Sequence, residues 1–307
     1  MGPIVYLNGA FIPREKACIS PDDRGFHFAD GVYEVIKYYR GRAFCFTDHI
    51  QRLKRSISET RIRYSGFDQL ESAGNELLHV NRMEKEYAGI YLQITRGASP
   101  RMHRFPGEET GPTVYMNAFP MPPFIPQLNQ GIRVILREDI RWHRCDIKSI
   151  MLLPNVLMIQ EAAENGAEEC FFIRDGFFTE CAHSNIFGIK DGALYTHPDS
   201  NYILPGITKK VILQLCGMLG IQVREEPMRA DDFRNFDEFF ISGTGNEVMP
   251  VIQMENAIVR DGRPGPVTRR IQQEFFRMTY GELAEDWSFR EWITNQPINQ
   301  STNQQIL

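Results

Sequence analysis

The sequence predicts a two-domain α/β protein, and three observations carry that prediction. The chain has 307 residues, enough to bury two cores. Strand-like alternation and helix-like periodicity interleave along most of its length. One proline cluster, Asn117-Ala-Phe-Pro-Met-Pro-Pro-Phe-Ile-Pro126, breaks both patterns. Four prolines in so short a span continue neither a helix nor a central strand. The expected division is a small α/β domain over 1–119, a linker over 120–128, a larger domain over 129–290 and a flexible tail over 291–307.

The first elements are read from local signals. Val5-Tyr-Leu7 and Ala10-Phe-Ile12 flank Asn8-Gly9, a strong hairpin signal. Val32-Tyr-Glu-Val-Ile-Lys-Tyr-Tyr39 alternates like a strand, with Tyr33, Val35 and Lys37 on one face. A lysine among aromatic and β-branched residues suits an edge strand protected by charge. Thr47-Asp48 is expected to cap a helix whose apolar stripe is Ile50, Leu53 and Ile57. Periodicity puts Arg52 on the flank of that stripe, as a solvated side chain. Tyr91-Leu-Gln-Ile-Thr95 reads as a strand leading into the basic loop Arg96-Gly-Ala-Ser-Pro-Arg-Met-His-Arg-Phe-Pro106.

In the second half, Asp175-Gly176 and Asp191-Gly192 mark two more hairpins. A helix is expected after Pro154, with Gly166 as its stop. A second follows Leu204-Pro-Gly-Ile-Thr208, with Thr208 as N-cap, and a late one covers Val267–Phe276. The end of the chain is rich in Asn and Gln and has no apolar period, which suits a flexible tail.

Charge and composition exclude several functions. The net charge is −5 and no run of Lys and Arg occurs, so no nucleic-acid footprint is expected. No apolar segment approaches the ~20 residues of a membrane span. Met1-Gly-Pro-Ile-Val-Tyr6 runs straight into a strand pattern and does not read as a secretory leader. The six cysteines form no CxxC and the seven histidines no HExxH, so free thiols in the cytoplasm and no metal site are expected.

Four stretches hold chemistry-bearing residues. Lys148 follows Arg141-Trp-His-Arg144 and precedes the apolar run Ile150–Leu153 and a helix. A lysine between an apolar strand and a packed helix is partly buried. Burial lowers its pKa from about 10.4, and a neutral amine attacks carbonyls to form a Schiff base. The loop of Arg96, Arg101 and His103 suits a carboxylate or phosphate, because arginine offers a rigid fork of donors. The turns at Leu204–Thr208 and Ser242-Gly-Thr-Gly-Asn246 expose backbone amides and hydroxyls that cradle anions. Taken singly, each also fits an ordinary role: a snorkelling lysine, a solvated loop, a capped helix.

Taken together and in order, these motifs resemble the class IV pyridoxal-phosphate aminotransferases of fold type IV. The resemblance runs from about Tyr6 to about Trp287. It rests on Asp23-Arg-Gly with Phe28–Glu34, on Asp48–Leu53, on Arg144-Cys-Asp-Ile-Lys148 and on Thr179-Glu180 with Ser184-Asn185. It rests further on Leu204–Thr208 and on Ser242-Gly-Thr244 with Glu247-Val. What the resemblance implies is a pseudo-barrel C-terminal domain and pyridoxal 5′-phosphate as cofactor. Lys148 would hold that cofactor as an aldimine and shuttle the proton at the substrate α-carbon. Glu180 would face the pyridine nitrogen, Arg52, Ile207, Thr208, Gly243 and Thr244 would form the phosphate cup, and Leu204 would pack on the ring. On this reading Arg52 is a site residue rather than a solvated one.

The loop over 96–106 is similar to that of the D-amino acid transaminases. There an arginine and a histidine matching Arg101 and His103 reach across a homodimer interface. With a tyrosine matching Tyr33 they grip the substrate carboxylate, and Val35-x-Lys37 also fits that subfamily. The implied reaction is ping-pong transfer of an amino group from a D-amino acid such as D-alanine to 2-oxoglutarate. The alternatives are a branched-chain L-amino acid or (R)-amine transaminase of the same fold, or an aminodeoxychorismate lyase. Two departures stand out. Where the family has small hydroxyl residues after the acid, this chain has Ala182-His-Ser184, and His183 either hydrogen-bonds the cofactor or fills space. The glycine turn, Gly243-Thr-Gly245, has fewer hydroxyls than is typical.

Overall fold

The computed structural model describes residues 1–281; the expectation of a flexible tail over 291–307 lies outside the described residues. Two sheets organise the chain. The first has six strands: β1 (Ile4–Leu7), β2 (Ala10–Pro13), β3 (Gly31–Tyr39), β4 (Arg42–Ala43), β5 (Tyr87–Thr95) and β6 (Thr113–Pro120). Their order is β2-β1-β6-β5-β3-β4, antiparallel throughout. Helices α1 (Arg24–Phe28), α2 (Phe46–Thr60) and α3 (Leu70–Val80) belong to this half. Leu53, Ile57, Leu77 and Leu78 from α2 and α3 pack with Ile36, Ile90 and Leu92 in one core.

The sheets change over between Pro120 and Ile132. Asn117–Pro120 is the end of β6 rather than linker, because each of these residues pairs with β5. Helix α4 (Ile125–Gln130) follows with Pro126 in its first turn, where the missing N–H costs nothing. The proline-rich run is therefore irregular only over 121–124.

The second half holds β7 (Ile132–Glu138), α5 (Leu153–Glu164), β8 (Glu169–Arg174), β9 (Phe177–Cys181), β10 (Asn185–Lys190), β11 (Ala193–Thr196) and α6 (Ile207–Met218). After these come β12 (Val223–Glu225), β13 (Glu238–Gly243), β14 (Glu247–Met254), β15 (Ala257–Ile258) and α7 (Pro266–Tyr280). The sheet order is β12-β11-β10-β13-β14-β7-β8-β9, with β15 added on β14. The Cys181 N–H donates to Ser184 O at 2.7 Å, so the last strand of the path returns to the third and the sheet curls on itself. Phe171, Phe178 and Phe239 pack together on one face of this sheet and Phe187 stacks on Phe240 on the other, all fully buried.

Local turn chemistry explains the hairpins. Asn8-Gly9, Asp175-Gly176 and Asp191-Gly192 have φ of 49°/95°, 53°/80° and 51°/74°. That double left-handed conformation matches the twist of the flanking strands. The helix caps differ from expectation. Helix α2 begins at Phe46 after Cys45, which has a left-handed backbone, and neither Thr47 nor Asp48 caps it. Helix α6 has Gly206 at its N-cap, and Thr208 lies inside the first turn. Ile150–Leu152 is not a strand.

Candidate active site

Lys148 sits in the irregular segment between β7 and α5, held by its backbone. Its carbonyl accepts from Tyr33 N–H at 2.9 Å and its N–H donates to Ser56 Oγ at 3.2 Å. Tyr33 is on β3 and Ser56 on α2, so the first sheet and its helix fix the lysine. The side chain is half-buried. Its Nζ lies 4.4 Å from the Tyr33 ring centroid and has no carboxylate partner among the described residues. It enters an open cleft of about 840 Å³, solvent at its mouth included, which both sheets line.

Glu180 lies in the same cleft, at the end of β9. A carboxylate in a hairpin segment is ordinarily a surface group, yet this one is 5% exposed. Arg141 Nη1 donates to Oε1 at 2.5 Å. The Leu204 N–H and Asn185 Nδ2 donate to Oε2 at 3.0 and 3.3 Å. Burial pushes the Glu180 carboxyl above its ordinary value, against the opposing pull of Arg141 and the Leu204 amide. Arg141 is held in turn by both oxygens of Asp139, at 2.9 and 2.8 Å. Sequence reasoning noted Arg141 only as part of a basic stretch. Its one local signal is Asp139 two residues before it.

Arg52 is buried, not solvated as periodicity alone suggests. Its Nε and Nη2 clasp Glu34 on β3, both at 2.8 Å, and Nη1 donates to Pro205 O at 3.0 Å. Two carboxylate oxygens matched by a planar fork allow a charge to be buried. His49 Nδ1 completes the cluster, 2.8 Å from Glu34 Oε2. Burial works to raise the Glu34 carboxyl, but Arg52 and His49 outweigh it and hold the group at about 2, below its ordinary 4.5. Because the folded value is depressed, the stability this group contributes is complete above pH 4.5 and is lost as pH falls towards 2. We expect unfolding free energy to drop more steeply through that window in the wild type than in Glu34→Gln. Parallel slopes in chemical-denaturation series at several pH values would rule this out.

The remaining cleft residues come from two turns. Leu204 precedes α6, and Ile207 and Thr208 form its first turn, whose amides have no partner within the helix. A Cβ at Gly206 would sit 1.9 Å from Asn185 Oδ1, so any larger residue there displaces the Asn185 side chain. Gly243 and Thr244 also line the cleft, beside Ser242, whose buried Oγ has no hydrogen-bond partner among the described residues.

Four expected residues lie elsewhere. Val35 does not line the cleft, and Lys37 is fully buried with Nζ 2.7 Å from Glu247 Oε1. This corrects the grouping of Tyr33, Val35 and Lys37. They share a strand face, but four residues at about 3.3 Å each carry Lys37 some 13 Å beyond Tyr33. The edge-strand account of Lys37 is corrected too, since Tyr39 and Tyr280 hydroxyls donate to the same Glu247 oxygen at 2.7 and 2.6 Å. Arg101 and His103 are exposed and do not line this chain's own cleft. Both lie against Phe28, at 5.0 and 5.4 Å. Arg24, quoted from sequence only as part of the Asp23-Arg-Gly motif and given no role, holds their loop by donating to Met102 O at 2.6 Å.

A lysine amine without a carboxylate partner, a buried carboxylate and two amide-rich turns thus share one cleft. The sequence model of the amino-transferase class IV family matches residues 31–254. The chain belongs to the class IV aminotransferases. It is 43% identical over 272 residues to a D-alanine aminotransferase of Staphylococcus haemolyticus, covering 88% of this chain and 96% of that one. Its fold is similar to the branched-chain amino acid aminotransferase of Escherichia coli, with TM-score 0.85, 29% identity, and 94% and 98% of the two chains covered. The branched-chain aminotransferase of the archaeon Thermoproteus uzoniensis, solved with norvaline, gives TM-score 0.81 at 25% identity, over 94% and 98% of the chains. As a class IV aminotransferase, this chain has the mixed helix-and-sheet fold that its sequence predicts.

Proposed function

We propose that the chain is a pyridoxal-phosphate-dependent transaminase that moves an amino group from a D-amino acid such as D-alanine to 2-oxoglutarate. The observation that carries this is the Lys148 amine, free of any carboxylate among the described residues, in one cleft with the buried carboxylate of Glu180. Its relative at 43% identity, a D-alanine aminotransferase, supports the choice of substrate.

The donor set fits the cofactor. The orphaned Ser242 Oγ, the first-turn amides of α6 and the Thr208 and Thr244 hydroxyls suit a phosphate. When bound, pyridoxal phosphate supplies the electron sink for charge developing at the substrate α-carbon. Lys148 Nζ would hold the cofactor, and its amine would carry the proton to and from that carbon. Glu180, oriented by Arg141 and the Leu204 amide, would be the carboxylate for the ring nitrogen, where its charge would favour a bound proton. Arg52 would add positive charge to the phosphate cup, with three of its five N–H groups already committed to Glu34 and Pro205 O. Leu204 would pack on the ring and Ile207 would belong to the phosphate cup; both line the cleft.

The working unit is a homodimer with shared sites. Leu153, Val156 and Leu157 on α5 are 68%, 60% and 50% exposed just beyond the cleft segment, an apolar patch of the kind that marks an interface. Arg101 and His103 of one copy then serve the other's cleft, where with Tyr33 they grip the α-carboxylate. The six unpaired cysteines suit a reducing cytoplasm. Among the described residues no helix is long and apolar enough to cross a membrane.

The test is a spectral half-reaction of the cofactor-loaded protein with D-alanine, L-leucine or (R)-1-phenylethylamine. Conversion of the bound cofactor to its amino form by D-alanine alone is expected, and Arg101→Ala is expected to lose it. Conversion by L-leucine would move the enzyme to the branched-chain group, and by the amine to the (R)-amine group. No conversion by any donor would point to the lyase.

A further inference from the structure

Among the described residues the cleft wall carries one histidine, His183, in the turn between β9 and β10. Its Nδ1 lies 2.9 Å from Oε2 of Glu169, a carboxylate whose side chain is 1% exposed while the imidazole is 48% exposed. The other Glu169 oxygen accepts from Cys170 N–H at 2.9 Å and Ala182 N–H at 3.2 Å. Glu169 thus pins the turn through one oxygen and sets its other oxygen beside the ring. On the far side, Asn246 Nδ2 lies 3.2 Å from His183 Nε2 and 2.8 Å from Ser184 Oγ. A carboxamide presents its nitrogen to a neutral ring or its oxygen to a charged one, and the Ser184 hydroxyl pairs with either end.

The other cations of the cleft are committed. Arg52 is bound to Glu34 and Pro205 O, Arg141 to Asp139 and Glu180, and Lys148 is the amine of the chemistry. His183 is left as a half-exposed group able to carry positive charge, backed by a buried carboxylate. Burial acts to lower its proton affinity, but Glu169 outweighs it and raises the imidazole above its ordinary value; Lys148 is the other charged group facing it. An enzyme that passes a methyl group and an acidic side chain through one cleft needs a cation that water covers cheaply when the methyl is bound. A rim imidazole meets that need.

We propose that His183, backed by the Glu169 carboxylate, recognises the second carboxylate of a dicarboxylic substrate. The inference deepens the transaminase reading above and rests on it. It is tested on the cofactor-loaded protein by calorimetric titration with two unreactive acids of similar length, glutarate and butyrate. The wild type is expected to bind glutarate about tenfold more tightly, the size of one charge-assisted hydrogen bond. His183→Gln and His183→Ser are both expected to remove that preference, and Glu169→Gln to weaken it. The preference is also expected to fade as pH rises and the imidazole loses its proton, which a space-filling role would not produce. In turnover, the KM ratio of 2-oxoglutarate to pyruvate is expected to rise about tenfold in either His183 variant. No preference in the wild type, or an unaltered preference in a folded His183 variant, would overturn the proposal. A preference that His183→Gln removes, in a protein that D-alanine fails to convert, would keep this role for His183 and sink the D-amino acid reading instead.

Discussion

Lys148→Ala is expected to leave a folded protein whose transamination rate is lower by roughly 10³-fold or more, the scale of losing a positioned acid–base group. On the proposed reading two roles disappear together, holding the cofactor and carrying the proton at the α-carbon. The fold should survive because the segment is anchored by backbone groups. The Lys148 carbonyl bonds Tyr33 N–H and its N–H bonds Ser56 Oγ, and alanine keeps both. The side chain contributes its contact with the Tyr33 ring, worth about 0.5–1 kcal/mol at a partly exposed site. Thermal unfolding of the cofactor-free protein should therefore change little. The cofactor absorbance band of the loaded protein should shift, because the proposed covalent link would be gone. A variant that keeps near-normal turnover would remove Lys148 from the chemistry. Lys148→Arg is the stricter test, since it retains the charge and loses the nucleophile.

Glu180→Gln is expected to lower turnover by about 10²–10³-fold, the usual cost of removing one preorganised group at a reacting centre. It should also cost stability. Arg141 and Arg174 share Asp139, at 2.8 and 3.1 Å, and Arg141 also pairs with Glu180. Two buried guanidinium groups are thus balanced by two carboxylates. Removing one carboxylate leaves a net positive charge with little water around it, which costs about 3–5 kcal/mol in comparable cases. Asp139→Asn separates the two effects. It unbalances the same cluster but leaves the carboxylate at position 180. A similar loss of stability with a much smaller loss of turnover is expected. If Asp139→Asn were as inactive as Glu180→Gln, the contribution of Glu180 would lie in holding the cluster rather than in facing the ring nitrogen.

Both variants concern residues singled out from sequence, yet the surroundings that set their effects were not legible there. Lys148, Glu180, Thr208 and Gly243 stand out in sequence because each belongs to a short motif, and the motifs occur in a fixed order. The folded chain brings all four to one cleft. Arg141, by contrast, is 39 residues from Glu180, and a lone arginine has no pattern of its own. Arg52 misled periodicity for a related reason. Helical spacing reports which side of a helix faces apolar neighbours, and says nothing of a carboxylate waiting on β3. Lys37 misled it in the opposite direction. Its strand face is shared with Tyr33, but its partner Glu247 lies 210 residues away.

What the sequence determined by itself was local or ordered along the chain. The three hairpins follow from Asn-Gly and Asp-Gly pairs, whose left-handed backbone is a property of two residues. The stripe of Ile50, Leu53 and Ile57 follows from helical period, and all three are buried. The family follows from motif order. The tertiary structure alone decided which charges are buried and with what. It joined Arg52 to Glu34, Arg141 to Glu180, Lys37 to Glu247 and His183 to Glu169. The physical reason is range. Turn and helix preferences act over a few residues, whereas burying a charge is favourable only once a distant segment supplies its counter-charge, and that depends on the completed fold.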